Sequence, residues 1–259
     1  MTGGQAAPVV RRPEQVVPRT LAPGVTSAEM LGDEHGSRGM HQRRLRFSEN
    51  AELDGTAAGL GEAWYVISGS GTLDAGAAGT GVLRPGTAVW LRSALGYRCR
   101  SGSGGGLGPE GGLGPEGDLG LGKELEVLVI TVRAGSAGQD GPALRVTTFE
   151  ESPPEYTGDR EFRVLLSSGL SFTQFAGFIP PGRAPEHQHS YDEVVHVLAG
   201  RGVVHLRSGQ AGEQTEIGPG TSIYLPPQTP HCLENTGAEP LRVLGVFHPA
   251  GSPAAKQTS

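Results

Sequence analysis

Short runs in which apolar and polar residues alternate, each ended by glycine or proline, recur along most of the chain. Residues 203–207 and 222–225 are two such runs. Because successive side chains of a strand point to opposite faces, an alternating run buries one face and leaves the other free. Many short strands separated by turn residues are typical of a β-sandwich or β-barrel. Helical periodicity is nearly missing, and the pattern therefore predicts an all-β fold.

Three segments of the first half of the chain recur in the second half, in the same order. Each match combines an apolar run with glycine or proline at the same place, as expected for a repeated structural unit. The matched pairs are 62–71 with 193–202, 85–91 with 219–225, and 125–135 with 241–251. The repeat predicts two copies of one β fold, produced by an internal duplication.

The first copy is about 18 residues longer than the second between Tyr97 and Leu125. This interval contains the hexapeptide Gly-Leu-Gly-Pro-Glu-Gly twice in tandem, at 106–111 and 112–117. A glycine-rich segment has little apolar surface to bury and a high backbone entropy. We therefore predict a mobile surface loop over 101–122, with a lid over a functional site as the alternative.

The repeat and the composition together predict how the chain is divided. We expect five parts: a Pro/Gly-rich N-terminal extension (1–35), a first barrel (36–141), a linker (142–159), a second barrel (160–252) and a tail (253–259).

Charge and cysteine content exclude several classes of protein. The net charge of −6 disfavours nucleic acid and membrane surfaces as partners, because both are polyanions. The short basic run 43–46 is interpreted as a solvated strand entry. Cys99 and Cys232 are the only cysteines, so there is no disulfide framework. No apolar run is long enough to span a bilayer. We expect a soluble, cytoplasmic protein.

Four residues of the second copy form a candidate metal site, which we call the ligand set. It consists of His187, His189, Glu193 and His231. The first two lie at i and i+2 of a strand and point to one face, while the last comes from a strand across the barrel. Three imidazole nitrogens and a carboxylate suit a divalent transition metal and leave one or two octahedral positions open. We expect Fe first, with Mn, Ni, Co, Cu or Zn as alternatives.

The spacing around the ligand set resembles the two motifs of the cupin superfamily. Residues 182–200 resemble G(X)5HXH(X)3–4E(X)6G, with one residue fewer in the first spacer. Residues 220–235 resemble G(X)5PXG(X)2H(X)3N, with Gln228 in place of the last glycine. Neither departure changes a candidate ligand. The resemblance covers the C-terminal half through these motifs and the N-terminal half through the duplication. It implies a bicupin, with a double-stranded β-helix (jelly-roll) barrel in each half and a metal in the second.

The first copy has lost most of the ligand set. The repeat aligns the three histidines with Thr56, Ala58 and Tyr97, and only Glu62 is retained. One carboxylate does not hold a transition metal tightly, so we predict a structural barrel, used as a scaffold or to form a homodimer. A small ligand bound around Glu62 and Tyr97 is the alternative.

Four further residues are candidates for contacts with a substrate. Gln174 and Phe178 share one parity on the strand that leads to the metal motif, which could place both at the wall of a pocket. Arg163 and Tyr224 are two further candidates for contacts with a substrate. No second carboxylate stands out among the predicted pocket strands.

Three functions remain open, because the same ligand set serves all of them. The first is a metal-dependent dioxygenase-type oxidoreductase acting on a small organic substrate. The second is a non-redox isomerase, cyclase or lyase in which the ion polarises a carbonyl; such chemistry usually needs an additional acid or base. The third is a non-enzymatic small-ligand binding protein or sensor, although no DNA-binding segment supports a regulator. We expect the first.

Overall fold

Two seven-stranded and two four-stranded antiparallel sheets make up the computed structural model, which describes residues 6–102, 124–133, 141–208 and 211–254. Within these ranges the regular elements are 22 β-strands and three short 3-10 helices, at Pro13–Gln15, Asp33–His35 and Gly76–Ala78. The all-β prediction is confirmed. Among the described residues, no helix is long and apolar enough to cross a membrane.

The first barrel pairs a seven-stranded sheet with a four-stranded sheet. The large sheet has the order β12-β9-β6-β11-β4-β3-β2, and the small sheet has the order β5-β10-β7-β8. The strands are β2 (Arg19–Ala22), β3 (Val25–Leu31), β4 (Met40–Phe47), β5 (Glu52–Thr56), β6 (Gly61–Ser68), β7 (Gly71–Asp74), β8 (Thr80–Leu83), β9 (Thr87–Arg92), β10 (Gly96–Ser101), β11 (Leu125–Val132) and β12 (Leu144–Thr148).

The second barrel repeats this arrangement. Its large sheet has the order β1-β20-β17-β22-β15-β14-β13, and its small sheet has the order β16-β21-β18-β19. Each position in one order has a counterpart in the other, as the duplication predicts. The strands are β1 (Val9–Arg11), β13 (Glu155–Thr157), β14 (Arg160–Leu166), β15 (Thr173–Ile179), β16 (Gly182–Arg183), β17 (Asp192–Ala199), β18 (Gly202–Ser208), β19 (Ala211–Ile217), β20 (Ser222–Leu225), β21 (His231–Asn235) and β22 (Leu241–His248).

The segment that precedes each barrel completes the sheet of the other barrel. Strand β1 pairs with β20 of the second barrel, and β12 pairs with β9 of the first. These exchanged strands cover sheet edges that would otherwise be open to pairing. The region 1–35, expected to lie outside the barrels, thus contributes β1, β2 and β3, and the expected linker 142–159 contributes β12 and β13. Strands β1, β2, β12 and β13 are too short to stand out among the surrounding prolines and glycines. Strand β3 is longer, but it is buried on both faces and therefore does not alternate.

Both faces of each large sheet are buried. The inner faces line the two barrel cores, and the outer faces pack against each other in a cluster shared by both barrels. Large members of this shared cluster are Met30, Tyr65, Trp90, Leu165, Phe172, Tyr224 and Leu244. Strand parity therefore decides whether a side chain reaches the interior of a barrel or the contact between barrels.

Two sequence predictions fall outside the part of the chain that the structure describes. The loop predicted at 101–122 lies largely within 103–123, and the end of the predicted tail lies within 255–259.

Candidate metal centre

The backbones of His187 and His231 are joined by two hydrogen bonds. The His187 amide donates to the His231 carbonyl at 3.0 Å, and the reverse bond measures 2.9 Å, which forms an isolated antiparallel bridge. The Gln228 amide donates to the His189 carbonyl at 2.7 Å. Gln228 itself has a φ of 64°, the left-handed conformation that the cupin motif reserves for glycine. Backbone pairing thus brings His231 next to His187 and His189.

Hydrogen bonds behind the rings orient two of the imidazoles. The Nδ1 of His187 lies 3.1 Å from the Pro185 carbonyl, and the Nδ1 of His231 lies 2.9 Å from the Thr229 carbonyl. An Nδ1–H that donates to a carbonyl leaves Nε2 unprotonated, with its lone pair free for a metal. The ligand atoms of the three histidines all lie within 4.8 Å of one another.

Aromatic packing holds the ring of His189. Tyr191 stacks on it with ring centroids 4.8 Å apart and planes only 11° from parallel. The Tyr191 hydroxyl donates to the Ser252 carbonyl at 3.2 Å, close to the C-terminal end of the described chain. Phe247 contacts the same imidazole at 5.2 Å.

Glu193 adds a buried carboxylate on β17. Its Oε2 lies 3.4 Å from the Nε2 of His231 and 3.6 Å from the Nε2 of His189. Within the described residues this oxygen has no hydrogen-bond partner. A buried charged oxygen without a partner is costly, and a cation among the three rings would satisfy it. The donor set therefore fits a divalent transition metal.

The pKa values of His187 and Glu193 are shifted toward their metal-binding forms, whereas that of His231 is shifted toward protonation by its contact with Glu193. Burial, followed by the charge of His231, lowers the pKa of His187 to about 4. Burial acts to raise the pKa of Glu193, but the contact with His231 and the nearby histidine charges outweigh it and lower this pKa. Burial acts to lower the pKa of His231, and the contact with Glu193 reverses the direction. At neutral pH the set thus offers an ionised carboxylate beside an unprotonated His187.

The ligand set borders a cavity of about 90 Å³ inside the second barrel. By this measure a single water needs roughly 10–15 Å³, so the cavity has room for several heavy atoms. Most of its wall is apolar, and its polar members outside the ligand set lie on the β13–β14 hairpin. The aromatic wall consists of Phe162, Phe175 and Phe247, and the hairpin contributes Thr157, Arg160 and Glu161. Phe178 also borders the cavity, but it has the strand parity of the cluster between the barrels. Pro253, in the predicted tail, also lines the cavity.

A glycine makes room for one of these rings. Phe175 of β15 pairs with Gly245 of β22, and a Cβ at position 245 would lie only 2.2 Å from Cζ of the ring. The missing side chain therefore lets the Phe175 ring lie over the neighbouring strand, where it contacts Phe247 at 4.8 Å.

Among the four predicted substrate contacts, only Phe178 borders the cavity, and its ring lies 5.5 Å from that of Phe149. Gln174 is fully buried but does not border the cavity. It shares its parity with Ala176, which belongs to the cluster between the barrels. The inward parity of β15 is instead that of Phe175 and Gly177. The side chain of Gln174 therefore lies on the outer face of β15, opposite to that of its neighbour Phe175.

Arg163 and Tyr224 also face away from the cavity. The Arg163 Nε lies 2.9 Å from Glu161, and its guanidinium lies 4.2 Å above the ring of Phe149. Tyr224 packs between the barrels and donates to Asp192 at 2.6 Å. The structure therefore places neither of these two residues at the cavity.

In the first barrel, protein donors surround the one retained carboxylate. Glu62 is fully buried, with its Oε1 2.9 Å from Nη2 of Arg43. The Ala58 amide donates to Oε1 at 3.3 Å, and the Trp64 indole donates to Oε2 at 3.1 Å. The predicted Tyr97 is buried nearby and packs edge-on against Trp64, with centroids 5.0 Å apart.

Arg43 occupies the first-barrel position that corresponds to Phe175. Arg43 pairs with Val129 on β11, as Phe175 pairs with Gly245 on β22. The basic run 43–46 is thus not simply a solvated strand entry, since one of its guanidinium groups reaches the buried carboxylate. The remaining aligned position, Thr56, ends β5.

Comparison with known proteins agrees with the sequence motifs. The family profile described as "Cupin domain" matches residues 176–247. An uncharacterised protein of Methanocaldococcus jannaschii is 39% identical over 110 residues, which cover 40% of this chain and 85% of that protein. Auxin-binding protein T85 of Nicotiana tabacum is 32% identical over 143 residues, covering 47% of this chain and 72% of its own length.

Solved structures resemble the whole chain in fold, at low sequence identity. Oxalate decarboxylase of Bacillus subtilis matches with a TM-score of 0.71 at 12% identity, covering 96% of this chain and 78% of its own. The Lactobacillus farciminis oxalate decarboxylase, solved as a formate complex, also matches with a TM-score of 0.71 at 12% identity, covering 95% and 88%. The Escherichia coli protein Ylba matches with a TM-score of 0.71 at 13% identity, covering 94% and 91%.

Proposed function

The chain belongs to the cupin superfamily, as a two-barrel member, and from this premise we propose that its second barrel is a metal-dependent oxidoreductase of the dioxygenase type. The proposed substrate is a small organic molecule that enters the cavity beside the ligand set. The proposed cofactor is one divalent transition metal, with iron as the first expectation.

The unpartnered Oε2 of Glu193 is the observation that carries the proposal. This buried oxygen faces the Nε2 atoms of His189 and His231 at 3.6 and 3.4 Å, while protein donors hold its first-barrel counterpart. A carboxylate kept ionised and unsatisfied among imidazole nitrogens is typical of a metal ligand. We therefore propose His187, His189, Glu193 and His231 as the four ligands.

Residues of the second barrel would position the metal ligands and bind the substrate. The backbone pairing of His187 with His231 fixes the positions of two ligands, and the Nδ1 contacts hold their Nε2 atoms toward the centre. The phenylalanine wall would bind the apolar part of a substrate and exclude water. Iron bound there would supply redox chemistry with dioxygen, for which four protein ligands leave positions open.

The cavity wall favours redox chemistry over acid–base chemistry. Outside the ligand set, its one carboxylate within the described residues is Glu161, which already lies 2.9 Å from Arg163. A carboxylate engaged by a guanidinium on the far side of the strand is poorly placed to exchange a proton with a substrate. An isomerase, cyclase or lyase reaction would need a better placed acid or base, and for this reason we rank it below oxidation.

A second candidate function is ligand binding without turnover. Two of the relatives are tobacco auxin-binding proteins, named for the binding of a small organic ligand rather than for a reaction. The apolar cavity of the second barrel would suit such a role equally well. The two functions differ in whether a bound compound is consumed.

Oxygen uptake by metal-loaded protein separates these functions. Protein purified without an affinity tag would be loaded with Fe(II) under anaerobic conditions and screened with phenols, enols and thiols in an oxygen electrode. We expect compound-dependent oxygen consumption that is lost in His187→Ala/His189→Ala. It should persist in His205→Ala, because this ring lies 2.7 Å from Glu234 and does not border the cavity.

The other outcomes of this screen would each contradict the proposal. Conversion of a compound without oxygen consumption would favour the isomerase, cyclase or lyase. Saturable binding without conversion of any compound would favour the binding protein.

A further inference from the structure

Arg160, which the sequence analysis did not single out, lies on the face of the sheet that looks into the cavity. It begins β14 and shares its parity with Phe162, a buried member of the cavity wall. Both residues border the cavity. Arg163 is three positions further along and therefore points to the opposite face, where it packs on Phe149.

A tight hairpin fixes the position of Arg160. Arg160 pairs with Thr157 in the β13–β14 ladder, and Gly158 and Asp159 form the turn between them. Gly158 has a φ of 65°, which a two-residue hairpin turn requires and glycine adopts without strain. The Thr157 side of the hairpin also borders the cavity, so a hydroxyl donor accompanies the guanidinium at this wall.

The charge of Arg160 is not compensated by the residues around it. Its Nε is buried and has no hydrogen-bond partner within the described residues, where Arg160 also forms no ion pair. The neighbouring Glu161 could have neutralised it, but that carboxylate is paired with Arg163 at 2.9 Å. A half-buried guanidinium that lacks a partner is suited to an anion supplied from outside the protein.

Two strands separate this cation from the ligand set. The sheet order places β22 and β15 between β17, which carries Glu193, and β14, which carries Arg160. Neighbouring strands lie ~4.8 Å apart, so the backbones of β17 and β14 are separated by roughly 14 Å across the sheet. The intervening strands contribute Phe247 and Phe175, so the space between the two polar groups is lined by aromatic rings.

We propose that Arg160 binds the carboxylate of an organic acid whose apolar body lies against the phenylalanine wall. This proposal rests on the proposed function, since it assigns the substrate class of the same cavity. With a divalent ion neutralising Glu193, the cavity would carry a net positive charge, which complements an anion. A planar guanidinium also donates two parallel hydrogen bonds to a carboxylate, which a neutral amide cannot accept equally well.

The test compares an acid with its neutral isostere. Phenylacetate and phenylacetamide have the same shape, and their binding would be measured by calorimetry with chelator-treated protein, so that no metal contributes. We expect phenylacetate to bind about tenfold more tightly than phenylacetamide. This preference should vanish in Arg160→Gln, be partly kept in Arg160→Lys, and be fully kept in Arg201→Gln, the matched variant of an exposed arginine that does not border the cavity.

The outcomes separate this proposal from the proposed function. An acid preference that remains unchanged in Arg160→Gln, or that is missing in the wild type, would overturn the role of Arg160. If the glutamine variant does not fold, Arg160→Lys is the deciding variant: a reduced acid preference despite the retained charge supports the bidentate guanidinium contact, and an unchanged preference contradicts it. If the acid preference depends on Arg160 but the protein takes up no metal on reconstitution, the role of Arg160 is supported and the proposed oxidoreductase is contradicted.

Discussion

Arg43 lies 2.9 Å from the carboxylate of Glu62 inside the first barrel, on the strand that corresponds to the one carrying Phe175 in the second. The equivalent buried glutamates of the two barrels therefore have different partners. In the first barrel a guanidinium and two further N–H donors satisfy the carboxylate. In the second barrel, a phenylalanine replaces the arginine and one oxygen of Glu193 remains available to a cation.

Replacement of Glu62 should reduce stability without affecting the metal. Glu62→Gln leaves the Arg43 guanidinium without its buried partner, which costs about 3 kcal/mol when a buried pair is broken. Urea unfolding followed by circular dichroism would measure the loss. Glu52→Gln is the matched control, because Glu52 pairs with Arg100 on the exposed surface and should change stability by less than about 1 kcal/mol. Equal effects of the two substitutions would contradict a buried structural pair.

Gly245 should be intolerant of a methyl group. In Gly245→Ala the new Cβ would lie 2.2 Å from Cζ of Phe175, so the ring or the strand must move. Overpacking of this kind costs about 1–3 kcal/mol. Thermal unfolding would measure it against Gly218→Ala, where a Cβ would meet no atom within 4 Å. An unchanged melting temperature in Gly245→Ala would show that Phe175 has another place to lie.

His196 should make the fold sensitive to mild acid. Burial, followed by the charge of Arg44, lowers the pKa of this ring to about 3. In the unfolded chain the ring titrates near 6.5, so between about pH 6.5 and 3 the unfolded state binds the extra proton. Stability should therefore fall with decreasing pH over this window, by up to about 1.4 kcal/mol per unit.

A substitution isolates the contribution of this one ring. His196→Asn keeps a polar group near the Ser222 hydroxyl, which lies 2.9 Å from Nδ1 in the wild type, and removes the titration. Urea unfolding at several pH values should give a shallower dependence for His196→Asn than for the wild type. The exposed Gln214→Asn, which removes no titrating group, should keep the wild-type slope. Parallel slopes for all three proteins would contradict a buried neutral His196.

The spacing of residues along the chain was sufficient to predict the repeated β fold and the candidate ligand set. The repeat indicated two copies of one β fold. The motif identified four candidate ligands, which backbone pairing and the position of Glu193 on β17 bring close together. Their role as metal ligands remains a prediction. The surrounding cavity was harder to predict, because strands of the large sheets are buried on both faces. In β15, Gln174 and Phe175 both lie in the interior of the protein, so alternation did not reveal which of them faces the barrel.

The positions of two arginines were also not predictable from the sequence. Arg43 and Arg160 carry charges that normally remain in solvent, yet one satisfies a buried carboxylate and the other borders the cavity. Their positions depend on which strand lies next to which in the folded sheet. The exchange of β1 and β12 between barrels is likewise a long-range pairing that no local pattern indicates.

The metal content of the purified protein tests the central claim, that the second barrel alone holds an ion. Plasma mass spectrometry after reconstitution should give one divalent transition-metal ion per chain for the wild type and for Glu62→Gln. It should give none for His187→Ala/His189→Ala, which removes two of the four proposed ligands. Two ions per wild-type chain, half the wild-type content in Glu62→Gln, or an undiminished content in the double variant would contradict the claim.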